Sequence, residues 1–587
     1  MSLRALRESY LSGRISPRQE VERFLAAADE AAWSAAWIHR VPADDLRARA
    51  RDLEARARAD PDAIRWRPLY GALFAVKDNI DVAGMPTTAG CPAFAYTPAR
   101  SAAAVDRLEA AGAILTGKTN LDQFASGLVG TRSPYGVVPN AVDPSYIAGG
   151  SSSGSAVAVA RGWVHFSLGT DTAGSGRVPA AFNGIVGLKP SRGLVSARGV
   201  VPACRSLDCV SVFARDVDDA VAVLETLRGY DREDPWSREL ALAPDRAPAV
   251  FCFGVPEPLE LFGDEASRLA FGRAVSLLES IGGRPVPVDF GPFRETAALL
   301  YEGPWVAERL SAIAPFFAAH AAEMHEVVRT IIGGGARYDA AQLFTDLTRR
   351  EALRKKVEPL WDDIAALVVP TAPTIYTIEE VLAEPIDTNR RLGYYMNFVN
   401  LLDLAALAVP CGTRGALPFG VTFIHRAGRD LMLADLGRRL EAAMQGRTAS
   451  AMPFRGDTID IAVVGAHLEG QPLNLQLTDR GGRLVRRCQT ARHYRLYVLP
   501  RATPPKPGLV RDADGRGHAI EVEVWRLPAS EFGGFVAAIP SPLGIGRVEL
   551  EDGEWVSGFL CESWALSGAR EISSLGGWRG WLAASRG

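Results

Sequence analysis

The feature that most constrains this chain is a pair of glycine- and serine-rich turns that bracket one apolar segment within residues 149–177. The stretch reads GGSSSGSAVAVARGWVHFSLGTDTAGSGR. Glycine accepts positive φ at little cost, so such turns suit places where the backbone must come close to another group. Between the turns, the small residues 155–160 predict a tightly packed helix, and residues 163–168 predict a short buried strand. The pattern therefore predicts a serine on each of two sharp bends.

Ser175, in DTAGSGR, lies on the second turn, where neighbouring backbone N–H groups can point at one spot. An oxyanion hole requires this geometry. A serine hydroxyl is a weak nucleophile and needs a base. His165 is close in sequence, but its apolar strand favours a structural role. A lysine whose pKa is lowered by burial can serve instead, and Lys77, at the end of the apolar run 72–76, is the candidate.

Several sequence blocks, in order, resemble the amidase signature family. They are GALFAVKDNIDVAG around Lys77, KTNLDQFASG at 118–127, the two turns themselves, and LPFGVTFIHRAGRD at 417–430. Ser153 and Ala173 stand where the family motif has glycine, and both are small. Together with the alternation of helices and short apolar runs, the resemblance predicts an α/β domain at 1–444, with a mixed central sheet flanked by helices.

The resemblance also implies catalytic roles. Ser175 would attack an amide carbonyl, Ser151, preceded by a cis peptide bond, would relay the proton, and Lys77 would be the ultimate base. The implied oxyanion hole consists of the backbone N–H groups of Thr172, Ala173, Gly174 and Ser175. The alternative interpretation is that these serines only line a glycine-rich turn. No cofactor or metal ion is implied.

The segment YEGPWVAERL at 301–310 is similar to allophanate hydrolases, a group within this family that follows urea carboxylase. Tyr301 and Arg309 are eight residues apart, and on an unbroken helix that is close to two turns, which would put both near one pocket. The resemblance implies that Arg309 pairs with the carboxylate of allophanate and that Tyr301 hydrogen-bonds the same end. The alternative for Arg309 is a surface ion pair.

A second domain is predicted after a turn-rich linker at 445–457. Residues 458–587 contain separated strand-like runs at 459–464, 493–499, 521–527 and 548–550, and resemble the C-terminal domain of allophanate hydrolases and, more distantly, γ-glutamylcyclotransferase-like folds. The resemblance implies that this β-rich domain promotes decarboxylation of N-carboxycarbamate, with His467 in a ligand-binding loop. The alternative for His467 is a structural cap. The glutamate of the cyclotransferase-like relatives has no clear match here, and Glu521, Glu523 and Glu531 stay open as candidates.

Composition excludes several classes of function. The net charge of −3 argues against a nucleic-acid partner held by bulk electrostatics. The sequence contains no apolar run of eighteen residues, so no transmembrane helix is predicted. The charged N-terminal sequence does not read as a signal peptide. Seven scattered cysteines without a CxxC pair fit reduced thiols in a cytoplasm. A cytoplasmic homodimer is expected.

Two other functions stay open at this point. One is a general amidase or a glutamyl-tRNA amidotransferase component that acts on another small amide. The other is a scaffold whose amidase domain is inactive, against which the intact Lys77, Ser151 and Ser175 argue.

Overall fold

The computed structural model of this chain describes residues 1–27, 31–60, 64, 67–240, 242, 246–446, 458–499, 505–512 and 516–586. The chain divides into two units, Met1–Ser450 and Ala451–Gly587. The predicted linker at 445–457 lies outside the described residues from position 447 onward. The exact domain bounds therefore stay a prediction.

The first unit is built around one large sheet. Its strands are β1 Trp37–Arg40, β2 Leu73–Lys77, β3 Ile114–Thr119, β4 Phe166–Asp171, β5 Val186–Lys189, β6 Cys209–Ala214, β7 Phe251–Glu257, β8 Gly283–Asp289, β9 Ala366–Pro370, β10 Leu404–Arg414 and β11 Leu417–Arg426. They lie in the order β1-β3-β2-β4-β6-β5-β10-β11-β9-β7-β8. The sheet is mixed: β2 is parallel to β3 and β4, whereas β4 is antiparallel to β6. The predicted α/β class is confirmed.

The central strands are buried along their whole length, which explains their composition. Every residue of β2, β4 and β9 is buried. Such strands lack an alternation of polar and apolar residues because helices cover both faces of the sheet. Polar side chains at the ends of these strands are consequently buried too, and they need partners.

Helices cover the sheet in the first unit. They span Leu3–Leu11, Pro17–Ala27, Ala43–Ala59, Ala103–Ala110, Ser153–Ala160, Val178–Phe182, Val217–Leu227, Glu265–Ser280, Gly291–Glu302, Trp305–Ala312, Ala314–His320, Glu326–Gly333, Ala340–Val357, Leu360–Asp363, Ile378–Ala383, Asp387–Leu392, Phe398–Leu401 and Asp430–Met444. Within the described ranges, no helix is long and apolar enough to cross a membrane.

Two predicted elements of the first unit are corrected by the structure. The strand expected at 163–168 begins at Phe166, because the N–H groups of Trp163 and Val164 donate to Ala158 O at the end of the preceding helix. The stretch 184–202, whose glycines and prolines predict a loop-rich segment, contains β5. This strand is only four residues long and begins two residues after Gly184, yet it pairs with both β6 and β10.

The second unit is rich in strands. They are β12 Thr458–Val463, β13 Arg483–Gln489, β14 Tyr494–Val498, β15 Pro507–Arg511, β16 Glu521–Pro528, β17 Leu543–Glu549, β18 Trp555–Cys561 and β19 Arg570–Glu571. Five form a sheet in the order β13-β16-β12-β18-β17, and three form a sheet in the order β15-β14-β19. Helices span Leu475–Thr478, Ala529–Ala537 and Trp578–Arg586. The β-rich character is confirmed, and the likeness to γ-glutamylcyclotransferases stays a prediction.

Candidate active site

Lys77 is the last residue of β2 and is completely buried. Its Nζ lies 2.8 Å from Ser151 Oγ and 2.8 Å from Thr170 Oγ1, which is contributed by the neighbouring β4. Because β2 and β4 run parallel, both residues lie at the same edge of the sheet. Burial lowers the pKa of Lys77 to about 7, although the carboxylates of Asp122, Asp208 and Asp171 act in the opposite direction. A substantial fraction of this lysine is therefore neutral near neutral pH.

Ser151 lies between the lysine and the second serine. Its Oγ donates a hydrogen bond to Ser175 Oγ at 2.9 Å, and both serines are buried. The peptide bond from Gly150 to Ser151 is cis, as the resemblance implies. A side chain at position 150 would not fit, because an added Cβ would lie 2.1 Å from Asp122 Oδ2. The structure thus brings Lys77, Ser151 and Ser175 into one continuous line of hydrogen bonds.

The turn that carries Ser175 is stabilised by hydrogen bonds to Asp171, the last residue of β4. The Asp171 carboxylate accepts the N–H of Gly174 at 3.0 Å and that of Gly176 at 2.9 Å. It also accepts two hydrogen bonds from the Arg177 guanidinium, each at 2.8 Å. Gly174 has φ +125°, a backbone conformation that favours glycine. The carboxylate therefore closes the turn on itself.

This arrangement corrects one part of the predicted oxyanion hole. The N–H of Gly174 is already committed to Asp171 and is not free to bind an oxyanion. Among the described residues, no acceptor lies against the N–H of Thr172, Ala173 or Ser175. The oxyanion hole proposed for this turn is thus reduced to these three donors. The sequence could not distinguish the four N–H groups, because the direction of each depends on the fold of the turn.

Arg309 and Tyr301 lie together, although they belong to two consecutive helices rather than to one unbroken helix. One helix ends at Glu302 and the next begins at Trp305, with Gly303 and Pro304 between them. The Arg309 Cζ atom nevertheless lies 5.3 Å from the centroid of the Tyr301 ring. The bend at Pro304 therefore brings the two side chains face to face instead of stacking them along one helix.

Arg309 is 2% exposed, so the alternative of a surface ion pair is wrong. Its Nη1 donates to Ser126 Oγ at 3.3 Å, while Nε and Nη2 have no hydrogen-bond partner among the described residues. The positive charge of Arg309 contributes to the lowering of the Lys77 pKa, after the larger effect of burial. A buried guanidinium with unused donors is suited to bind an anion.

Other residues at this site, besides Asp171, were not singled out from the sequence. Thr170 contacts Lys77, Ser126 contacts Arg309, and Asp208 accepts a hydrogen bond from the Thr172 hydroxyl. Burial raises the pKa of Asp208 to about 6. Thr170 lies in β4, whose residues are all buried, so no alternation of polar and apolar residues marks it. Ser126 lies within the block at 118–127, but nothing in its local sequence points to a contact with Arg309.

The histidines near the predicted sites have distinct surroundings. His165 is buried, its Nδ1 accepts the N–H of Leu73 at 3.0 Å, and burial lowers its pKa to about 3, which agrees with a structural role. In the second unit, His467 stacks on Phe559 with its Nε2 3.0 Å from Gln476 Oε1, and burial lowers its pKa. The catalytic role of His467 stays a prediction.

Of the three candidate glutamates, Glu523 is completely buried. Its carboxylate accepts hydrogen bonds from Arg579 at 2.8 Å and from the Trp525 indole at 3.0 Å. These contacts tie the C-terminal helix Trp578–Arg586 to β16. Glu523 is therefore engaged in holding the second unit together.

Comparison with known proteins finds two families along the chain. Residues 19–434 match the family described as Amidase, and residues 459–583 match the family described as Allophanate hydrolase C-terminal domain. Urea amidolyase of Lachancea kluyveri is 45% identical over 542 residues, which is 88% of this chain and 30% of that protein. The chain thus spans less than a third of the length of this curated relative.

A solved structure, titled SeMet-substituted Kluyveromyces lactis Allophanate Hydrolase, is similar over the whole length. It is 42% identical, with a TM-score of 0.78, and the match covers 100% of this chain and 99% of that one. One component of the glutamyl-tRNA(Gln) amidotransferase of Symbiobacterium thermophilum is 34% identical over 74% of this chain and 95% of its own. The match to the latter relative therefore leaves about a quarter of this chain uncovered.

Proposed function

The chain belongs to the Amidase family and is homologous to allophanate hydrolase, and from that premise we propose that it hydrolyses allophanate (urea-1-carboxylate). The observation that carries the proposal is Arg309, a buried guanidinium whose Nε and Nη2 have no partner in the described structure. Burying an unpaired charge is costly unless a ligand completes its hydrogen bonds. Allophanate is small and carries the carboxylate that such a guanidinium would bind in a bidentate manner.

In the proposed first step, Ser175 Oγ forms a bond to the carbon of the terminal carbamoyl group. The Ser175 proton passes to Ser151 as Ser151 passes its own proton to neutral Lys77, along contacts of 2.9 and 2.8 Å. The N–H groups of Thr172, Ala173 and Ser175 would stabilise the oxyanion. Lys77 then returns the proton through Ser151 to the leaving nitrogen, the C–N bond breaks and ammonia departs.

Water completes the reaction by the reverse route. Lys77, acting through Ser151, accepts its proton as the new C–O bond forms, and the same route returns the proton to Ser175 Oγ as the ester bond to Ser175 breaks. Allophanate and one water thus give N-carboxycarbamate and one ammonium ion, so atoms and charge balance. The second domain, with His467, would then promote loss of carbon dioxide from N-carboxycarbamate. The match of residues 459–583 to the allophanate hydrolase C-terminal domain supports this division of labour.

The same proposal extends to partners. Similarity to urea amidolyase supports a functional link to an enzyme that carboxylates urea and so supplies allophanate. A homodimer and a cytoplasmic location stay predictions, and light scattering of the purified protein tests the first of them.

A panel of small amides tests the proposal against a general amidase. The purified enzyme should release ammonia from allophanate at rates far above those on acetamide or biuret, which lack a carboxylate. Malonamate, which keeps one, should fall between them. Comparable turnover of acetamide and allophanate would favour a general amidase, and no release from any member of the panel, by protein whose fold is verified, would favour the inactive scaffold.

A further inference from the structure

The loop 203–208 contacts both the turn that carries Ser175 and the helix that carries Arg309. At its C-terminal end, Asp208 is buried and accepts a hydrogen bond from the Thr172 hydroxyl, in the turn of the nucleophile. The same carboxylate accepts the N–H of Ala203 at 2.9 Å and that of Cys204 at 3.2 Å. Asp208 therefore closes the loop on itself and attaches it to the turn that carries Ser175.

The middle of the loop is fastened to the helix Trp305–Ala312, which carries Arg309. Ser206 donates its N–H to Glu308 Oε1 at 2.7 Å and its hydroxyl to Glu308 Oε2 at 2.7 Å. The thiol of Cys204 donates to Trp305 O at 3.4 Å, at the start of the same helix. Glu308 precedes Arg309 directly, so the loop contacts the residue next to the proposed carboxylate-binding side chain.

The Arg309 guanidinium itself has little to hold it before a ligand binds. Its one described hydrogen bond is the 3.3 Å contact to Ser126, and its other contact is with the face of the Tyr301 ring. The position of the guanidinium is therefore set mainly by where its helix lies. Small misplacements of a binding group are costly in catalysis, because the reacting atoms must approach within a narrow geometry.

We propose that the loop 203–208 sets the distance between the carboxylate-binding Arg309 and the nucleophile turn, with Glu308 and Asp208 as positioning residues at its two attachments. This inference rests on the proposed function and adds residues that contact neither reacting atoms nor substrate. The two attachments should leave different kinetic signatures. Loosening Glu308 disturbs Arg309 and hence substrate binding, whereas loosening the contact of Asp208 with Thr172 disturbs the oxyanion turn and hence the chemical step.

The test measures kcat and KM for allophanate in the full-length enzyme at pH 8, where Asp208 is ionised. Glu308→Ala should raise KM about tenfold and change kcat less than about threefold. Glu308→Gln is the matched control: its amide can accept the Ser206 N–H and donate to the Ser206 hydroxyl, so KM should return to within about threefold of wild type. At the other attachment, Thr172→Val should lower kcat about tenfold with little change in KM, and Thr172→Ser, which keeps the hydroxyl, should restore it. Thermal unfolding verifies that each variant is folded.

The outcomes separate this inference from the proposal on which it rests. An unchanged KM in Glu308→Ala, or a Glu308→Gln enzyme as impaired as Glu308→Ala, would overturn the positioning role, since charge rather than the paired hydrogen bonds would then matter. Equal losses in Thr172→Val and Thr172→Ser would overturn the role of the Asp208 contact. A wild-type enzyme that does not consume allophanate would overturn the proposed function, and the inference with it.

Discussion

Asp171 and Arg177 form a completely buried ion pair with two hydrogen bonds of 2.8 Å directly beneath Ser175. Arg177 also donates to Asn400 Oδ1 at 3.2 Å, so both partners are hydrogen-bonded on several sides. A pair of this kind is not needed for stability as such, but removing one partner leaves an unpaired charge in the interior. The conformation of the turn that carries Ser175 thus depends on the buried Asp171–Arg177 ion pair.

We therefore predict that Arg177→Met lowers the free energy of unfolding by about 3–5 kcal/mol and abolishes most activity, because Asp171 is left uncompensated. Arg390→Met is the matched control, since Arg390 and Asp387 form a pair in which both side chains are exposed. Loss of that pair should cost less than about 1 kcal/mol. Urea unfolding followed by tryptophan fluorescence measures both, and similar losses in the two variants would contradict the account.

The second prediction concerns pH. Lys77 accepts a proton only when neutral, and its pKa is lowered to about 7 by burial. Values of kcat/KM for allophanate should therefore rise with pH through about 7 and level off above it. A profile that falls across this range would show that the protonated lysine is the active form.

Thr170→Val identifies the group responsible for that acidic limb. The Thr170 hydroxyl accepts a hydrogen bond from Lys77 Nζ, so its removal should destabilise the ammonium form and move the limb to lower pH. The measurement is a full pH profile of the variant beside that of wild type. A limb that stays in place, or moves to higher pH, would assign it to another group.

The third prediction concerns selectivity. Arg309→Leu should raise KM for allophanate by roughly thirtyfold, which corresponds to a loss of about 2 kcal/mol for a charge-assisted pair. Turnover of biuret, where an amide replaces the carboxylate, should change far less. Arg309→Lys keeps the charge without the planar fork and should be intermediate. Equal losses on allophanate and biuret would mean that Arg309 does not bind the carboxylate.

The fourth prediction separates the two domains. His467→Ala should leave the release of the first ammonia unchanged, because the proposed nucleophile, relay and base all lie in the first unit. Release of carbon dioxide and of the second ammonia should slow to the spontaneous rate of decay of N-carboxycarbamate. Stopped-flow measurement of both products tests this, with Gln476→Ala as a second variant that frees the His467 ring. Unchanged carbon dioxide release would leave His467 a structural residue.

The sequence predicted the residues that bear the proposed chemistry better than it predicted the residues that position them through hydrogen bonds. Lys77 and Ser175 were proposed because a glycine-rich turn and a polar residue ending an apolar strand are local patterns, whereas the relay role of Ser151 was implied by the family resemblance. The role of Asp171 under the turn was not found, because it depends on where four donors converge in space.

Tyr301 and Arg309, the two residues expected to bind the carboxylate, also show how far local sequence patterns can predict a site. Helical spacing predicted that Tyr301 and Arg309 lie together, and they do, but through a break at Pro304 that the spacing argument did not include. Ser126 and Glu308 take part through contacts with residues that are distant in sequence. No local pattern carries such contacts, since they arise only when the sheet and its covering helices have packed.

Ammonia release from allophanate by wild type and Ser175→Ala tests the central claim most directly. Ser280→Ala, at the exposed last residue of the helix Glu265–Ser280, controls for the substitution itself. Thermal unfolding confirms that each protein is folded. We predict that Ser280→Ala matches wild type and that Ser175→Ala loses activity by at least about 10³-fold, because the substitution removes the hydroxyl that would form the acyl-enzyme. Near-wild-type ammonia release by purified Ser175→Ala would contradict the assignment of Ser175 as the nucleophile.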